Sequence, residues 1–375
     1  MKNLPLYLLG MLLCIYIMVM YTEPAFFIVV LVMAVILILD LLLAIYLRSS
    51  LEISGEMSGN FIHHSEVIPI TIHIHNKSFL PVSHLRIRIS YSNKMGGISR
   101  KQWICTYADA RSHARVTFNL TSECCGVLRI HMEKFRAAGP FKLFAFSVKV
   151  GHTLEIPVFP YIFPVNFEIS TKIRDFIGES DTYSKSKSGD DPSEVFDVRS
   201  FRQGDRISRI HWKLTARADE IMVKEFSRPV GYPVVLFFNF SQPSREGLSK
   251  AQVRRQEAEI LRAMTDVIEA GLSMSAGLAR AQCWHYIAWC REDMTIERHA
   301  IESEEDVYEH MGRLLYAHPH IKISDPRAFY SRTWGADSFC TFLSVNTNMT
   351  IEKDGEIYEE RGLDRDTLSG ENFIL

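Results

Sequence analysis

Apolar positions along this chain follow three regimes in turn: unbroken runs, period two, and a mixture of helical spacing with short solid runs. Residues 4–21 form an apolar stretch interrupted only by Pro5 and Gly10. After Thr22-Glu23-Pro24 comes a second stretch, residues 25–47, whose only charge is Asp40. At 1.5 Å per residue the second stretch spans about 34 Å, enough to cross a hydrocarbon core of about 30 Å; the first is close to the lower limit. The short connection makes the two helices an antiparallel hairpin occupying residues 1–50. A cleaved signal peptide is the competing reading of the first stretch, but no small-residue cleavage site precedes the second and the apolar core is too long. Lys2 and Arg48 flank the hairpin and Glu23 sits in its turn, so positive-inside asymmetry places both ends in the cytoplasm. An intramembrane carboxylate is a functional candidate by default. For Asp40 the expectation is simpler: a place within two turns of the cytoplasmic interface, with a partner or a proton.

From residue 51 to about 160 the period is two. Ile70, Ile72 and Ile74 alternate with Thr71, His73 and His75; Leu85, Ile87 and Ile89 with Arg86, Arg88 and Ser90; Val116, Phe118 and Leu120 repeat the pattern. Such alternation specifies strands with one buried and one wet face. Turn formers separate them, as in Asn76-Lys77-Ser78 and Met95-Gly96-Gly97, and the expectation for residues 51–165 is a small β-sandwich. His73 and His75 share one strand face, but without an assured third ligand that face reads as wetted sheet surface.

Residues 178–194 are polar and rich in Gly and Ser, the composition of a linker or exposed loop. Next come Arg199-Ser-Phe-Arg202-Gln-Gly204-Asp205-Arg206 and Arg209-Ile-His211-Trp212-Lys213-Leu-Thr-Ala-Arg217. Gly204-Asp205 reads as a turn. Ile207, Ile210 and Leu214 have helical spacing, which predicts a short helix over 205–217 with Asp205 and Arg209 paired at i,i+4. Three uses fit this constellation: an Arg–Asp network fixing the segment, an anion or partner receptor, or general acid–base chemistry by His211 oriented by Asp205 or Asp197. No nucleophile stands in a recognisable relation to His211.

Residues 233–240 (PVVLFFNF) form a solid apolar run, the pattern of a strand buried on both faces. An amphipathic helix over 248–270 follows, with Gly271 as its stop, then a strand over 283–290, a helix over 302–316 and a strand over 339–345. This order predicts an open α/β sheet over 233–375. Acidic residues 302–306 sit at a helix start and read as a capping feature.

Charge sharpens this division. Residues 51–160 hold 13 Lys and Arg against 7 Asp and Glu, residues 161–240 hold 12 against 12, and residues 241–375 hold 15 against 23. A basic domain next to a membrane hairpin is attracted to an anionic leaflet. The neutral signature region and acidic C-terminal part argue against a nucleic-acid partner. Seven cysteines without CxxC or paired spacing fit free thiols in a reducing compartment.

The stretch Ser188-Gly-Asp-Asp-Pro-Ser-Glu194 with 199–205 and 209–217 closely resembles the core signature of the bacterial domain of unknown function 58. Ala138-Gly-Pro-Phe-Lys-Leu-Phe144 is similar to that family's DPFGLF-type stretch, and Glu155-Ile-Pro-Val-Phe-Pro160 to the strand before its linker. The resemblance implies a von Willebrand factor A-like α/β domain from about Pro233, after a linker and signature segment at 166–232. It also implies association with MoxR-type AAA+ ATPases and with transglutaminase-like membrane proteins, and no assigned enzymatic activity. The adhesion-type metal motif of von Willebrand A domains, Asp-x-Ser-x-Ser, reads here Asn239-Phe-Ser241-Gln-Pro243. Loss of the leading carboxylate weakens any Mg²⁺ site, so neither metal nor other cofactor is expected.

These readings converge on a multi-pass plasma-membrane protein with its soluble part in the cytoplasm, acting without catalysis as an interaction or assembly factor. Arg199, Gly204, Asp205, Arg209, His211, Trp212, Lys213 and Arg217 are its candidate structural or partner-binding residues. The alternatives are a cell-envelope hydrolase or transferase using His211 with Asp205, and a metal-dependent adhesion module.

Overall fold

The computed structural model describes the chain except for residues 1–2, 22–23, 58–61, 98, 179–182, 190, 219, 230, 244–246, 322, 324, 336–338, 360–362, 364 and 371. Lys2 and Glu23, two of the charges behind the orientation reading, lie outside the described residues, as do parts of the expected linker. The chain divides into two compact units, Met1–Phe159 and Pro160–Leu375.

The first unit opens with two helices, α1 (Asn3–Tyr21) and α2 (Pro24–Ser50), both long and apolar enough to cross a membrane. α1 buries no residue in the protein, and the Tyr7 hydroxyl donates to the Met33 carbonyl of α2 at 2.9 Å. α2 runs three residues past the expected end because its last turns have protein to pack against. Asp40, Ala44 and Leu47 are buried along one face, and Leu51 follows them.

Eight strands follow: β1 (Leu51–Met57), β2 (Ile62–His63), β3 (Val67–Asn76), β4 (Val82–Asn93), β5 (Arg100–Ala108), β6 (His113–Thr121), β7 (Gly126–Ala138) and β8 (Ala145–Phe159). They form two sheets, β1-β3-β6 and β2-β8-β7-β4-β5. The alternating residues meet in one core: Ile68, Ile70, Ile72 and Ile74 from the first sheet, and Leu85, Ile87, Ile89, Ile130, Met132 and Ile156 from the second. On the wet face of the smaller sheet, Glu52, His75 and His113 lie in cross-strand register, and the two imidazoles stack at 3.9 Å.

The second unit holds a six-stranded mixed sheet. In chain order the elements after β9 (Asn166–Glu168) and α3 (Thr171–Gly178) are β10 (Tyr183–Gly189), β11 (Asp191–Ser200), α4 (Trp212–Ala218), β12 (Met222–Pro229), β13 (Val234–Asn239), β14 (Ser241–Gln242), α5 (Lys250–Arg280), β15 (His285–Cys290), β16 (Ile296–Ile301), α6 (Glu304–Leu314), β17 (His320–Ile321), α7 (Pro326–Trp334), β18 (Thr341–Asn346), β19 (Ile351–Lys353) and β20 (Glu356–Glu359). The sheet order is β16-β15-β13-β18-β19-β20, with β13 parallel to both neighbours. All six β13 residues are buried, as the solid run required: Phe238 meets α5 at Gly271, while Val235 and Phe237 share a cluster with Tyr330 of α7.

Two expectations need correction. Gly271 does not end the helix, which continues to Arg280; a Cβ there would stand 2.2 Å from Phe238 Cε1, so the glycine admits an aromatic ring to the helix surface. The polar stretch 178–194 is not a plain linker, because β10 and β11 both pair with β12. At α6 the acidic run serves as a cap: Asp306 Oδ2 accepts the Glu302 and Ser303 amides at 2.8 Å, and Ser303 Oγ accepts the Asp306 amide.

Candidate functional site

The signature residues lie on a hairpin and in its long tip. β11 and β12 run antiparallel, with Asp197 opposite Glu225, Arg199 opposite Val223 and Ser200 opposite Met222. Residues 201–221 connect them through a turn, a short 3₁₀ segment at Ile207–Arg209, and α4.

Arg199 organises this tip. Its Nη1 and Nη2 donate to Asp205 Oδ2 and Oδ1, both at 2.8 Å, and its Nε to Glu225 Oε1 at 2.6 Å. The planar fork of a guanidinium matches a carboxylate in this bidentate way, which a lysine cannot do. Asp205 Oδ2 also accepts the Arg202 amide at 2.7 Å, and the Asp205 amide returns to the Arg202 carbonyl at 3.0 Å. Gly204, at φ +108°, makes that return possible. The Arg199 hydrogen bonds, and then the Arg202 amide, hold the Asp205 carboxyl down at about 2. Both carboxylates in turn hold the Arg199 guanidinium above its ordinary range.

The expected helix over 205–217 is not continuous, and the Asp205–Arg209 pair does not form. Ile210 is extended and bridges to Val223, which breaks the i,i+4 geometry; Arg209 instead lies 5.3 Å from the Phe226 ring centroid. Helix begins only at Trp212. His211 caps it, with ring Nδ1 accepting the Leu214 amide at 3.2 Å and its carbonyl accepting the Thr215 amide at 3.0 Å. Asp205 is engaged by Arg199 and Arg202, and Asp197 Oδ1 accepts the adjacent Val198 amide at 2.7 Å. The imidazole is thus placed as a capping group, and both carboxylates considered for orienting it have other partners.

Outside this lock the tip presents apolar surface. Ile207 is 72% exposed and Trp212 66%, and Phe201 and Ile221 are exposed as well. Arg202, Arg206, Lys213 and Arg217 of the same segment are exposed too. Arg199, Gly204 and Asp205 therefore shape the tip, whereas Trp212, Lys213 and Arg217 face outward.

The end of β13 carries a neutral amide network. Asn239 Nδ2 donates to Asn346 Oδ1 at 2.7 Å, Ser344 Oγ donates to the same oxygen at 2.7 Å, and Thr347 Oγ1 donates to the Ser241 carbonyl at 2.6 Å. Asn239 is buried, with its Oδ1 unpartnered. No group of three or more His, Cys, Asp or Glu side chains is placed to hold a metal among the described residues.

Three interactions escaped the sequence pattern. Glu225 completes the Arg199 lock from the other strand. His285, fully buried in β15, places Nε2 2.7 Å from Ser275 Oγ and Nδ1 3.0 Å from the Cys283 carbonyl; burial pushes its pKa down to about 4. Asp40 accepts three amides from residues 141–144, a contact between positions a hundred residues apart that no local pattern encodes.

A family model described as "Protein of unknown function DUF58" matches residues 197–279, which include the lock, the exposed tip, β13 and most of α5. A comparison with curated proteins finds no match. Among solved structures, the CARDB domain of the PF1109 protein from Pyrococcus furiosus is similar at 14% identity and a TM-score of 0.21, covering 29% of this chain and 88% of that one. The sporulation control protein Spo0M from Bacillus subtilis shows 8% identity and a TM-score of 0.19, covering 29% and 49%. A β-glucosidase from Listeria innocua shows 18% identity and a TM-score of 0.19, covering 27% and 16%.

Proposed function

We propose that this chain is a membrane-anchored, non-enzymatic docking protein of the plasma membrane. In this reading α1 and α2 span the bilayer with both ends on the cytoplasmic side, and the second unit is a von Willebrand factor A-like domain. The hairpin tip at 201–221 recruits a cytoplasmic partner. The observation that carries the reading is the exposure of Trp212 and Ile207 within the family-matched segment, together with that of Arg202, Arg206, Lys213 and Arg217. Tryptophan and arginine are over-represented among residues that dominate binding energy at protein interfaces, and exposed apolar and cationic side chains together fit a groove edged by carboxylates. The Arg199–Asp205–Glu225 lock fixes the tip's shape in advance, which lowers the ordering cost of binding. The family resemblance makes a MoxR-type AAA+ ATPase the leading partner. No metal or other cofactor enters this reading.

Crosslinking with mass spectrometry in native membranes tests it. The wild-type chain should give tip crosslinks to an AAA+ ATPase, and Trp212→Ala should lose them while keeping its melting temperature, since the side chain is largely in solvent. Crosslinks that persist undiminished in Trp212→Ala, or a substrate turned over by the purified chain, would refute the proposal.

A further inference from the structure

The turn between β7 and β8 satisfies its amide donors within the protein. Its sequence, Ala138-Gly-Pro-Phe-Lys-Leu-Phe144, is apolar except for Lys142. Every backbone N–H from Gly139 to Phe144 has a partner. The Gly139 amide donates to the Phe144 carbonyl at 2.9 Å and the Lys142 amide to the Gly139 carbonyl at 2.9 Å, while Pro140 has no N–H. The remaining three converge on Asp40: Phe141 on Oδ1 at 3.0 Å, Leu143 on Oδ2 at 3.1 Å and Phe144 on Oδ2 at 2.9 Å. A Cβ on Gly139 would stand 2.4 Å from Asp40 Oδ1, so only glycine lets the turn close on the carboxylate. Asp40 itself is wholly buried.

The depth of this contact follows from α2. On its outward face the helix stays apolar and exposed beyond Asp40, at Leu41, Leu42 and Ile45. From Ala25 to Ile45 the helix rises about 31 Å, the thickness of a hydrocarbon core, whereas ending the core at Asp40 would leave these side chains in water. Arg48 then stands at the headgroups. Asp40, and the turn it holds, lie about 7 Å inside Ile45 along the axis. Non-helical backbone at that depth is tolerated only when its polar groups are satisfied by protein, and the amide donors of this turn meet that condition.

We infer that the 138–144 turn enters the bilayer: Phe141, which is 48% exposed, sits among the acyl chains, and Lys142 reaches back to lipid phosphates. The occupant of this surface is membrane lipid, because the turn is bound to the very helix proposed to span it. The inference rests on the membrane-anchoring reading of α1 and α2. Asp40 thereby serves as the acceptor that lets an irregular loop sit at membrane depth.

Photocrosslinking of the full chain in phosphatidylethanolamine–phosphatidylglycerol vesicles tests it. p-Benzoylphenylalanine replaces Phe141, Leu31 on the exposed face of α2, or Ser99, in the β4–β5 turn at the opposite end of the sheet, about a β7 length (roughly 40 Å) from the tip. The expected result is a mass increase of one phospholipid at 141, with a yield comparable to that at 31 and far above that at 99. Adducts at 31 with none at 141 overturn the inference and leave the anchoring intact. No adduct at either position overturns the anchoring, and the inference with it.

Discussion

Replacing Asp40 by alanine removes the acceptor for three amides at once. Each buried donor left without a partner costs about 1–3 kcal/mol, so the change should destabilise the turn by roughly 3–6 kcal/mol, even if the loop relaxes partly. Asp40→Asn should be milder. With its one remaining oxygen in the Oδ2 position it keeps the Leu143 and Phe144 amides and turns an N–H₂ toward that of Phe141, a loss of about 1–3 kcal/mol. Hydrogen exchange on the full chain in detergent or nanodiscs reads this directly, since a 3 kcal/mol loss of protection speeds exchange by more than a hundredfold. The amides of Phe141, Leu143 and Phe144 should be protected in the wild type, exposed most in Asp40→Ala and in between in Asp40→Asn. Unchanged protection in Asp40→Ala would refute the reasoning, because it would mean the carboxylate is not the acceptor that holds the turn.

Gly271→Ala separates helix propensity from packing. At an ordinary helix position alanine gains about 0.5–1 kcal/mol over glycine, but here its Cβ meets the Phe238 ring at 2.2 Å, and the expected result is a net loss of about 1–3 kcal/mol in urea unfolding. His285 makes stability depend on pH. Its pKa falls from 6.5 to about 4 on folding, so its contribution is present above pH 6.5 and lost as pH falls through that interval. At most about 1.4 kcal/mol is lost per pH unit, or about 3 kcal/mol in all. Buried His320 and half-buried His310, also lowered by desolvation, add to the same trend. His285→Gln should flatten the profile of melting temperature between pH 6.5 and 4.5, and an unaltered profile would contradict the assignment.

Some of this molecule was legible from neighbouring residues alone. The two membrane-length helices, the alternating strands of 67–76 and 82–93, and the buried strand at 234–239 each follow from a local period. A residue's exposure in helix or strand is set by the few positions next to it. The dense set of Arg, Asp, His and Trp at 199–217 was equally visible in the sequence, and the structure joins two of its members, Arg199 and Asp205, in a bidentate pair.

Pairing across distance was decided only in three dimensions. Helical spacing at 207, 210 and 214 pointed to one helix, but the bridge from Ile210 to Val223 split it, and a strand 26 residues away supplied Glu225 to Arg199. Gly271 looked like a stop because glycine is a poor helix former, yet Phe238 from the neighbouring strand gives it another purpose. Asp40 shows the limit most clearly. Hydropathy marks it as an anomaly, and only the arrival of a turn from the far end of the same unit makes it an acceptor for three amides. Periodicity is a property of the chain; the partner of a buried polar group is a property of the fold, because desolvation demands some partner without specifying which.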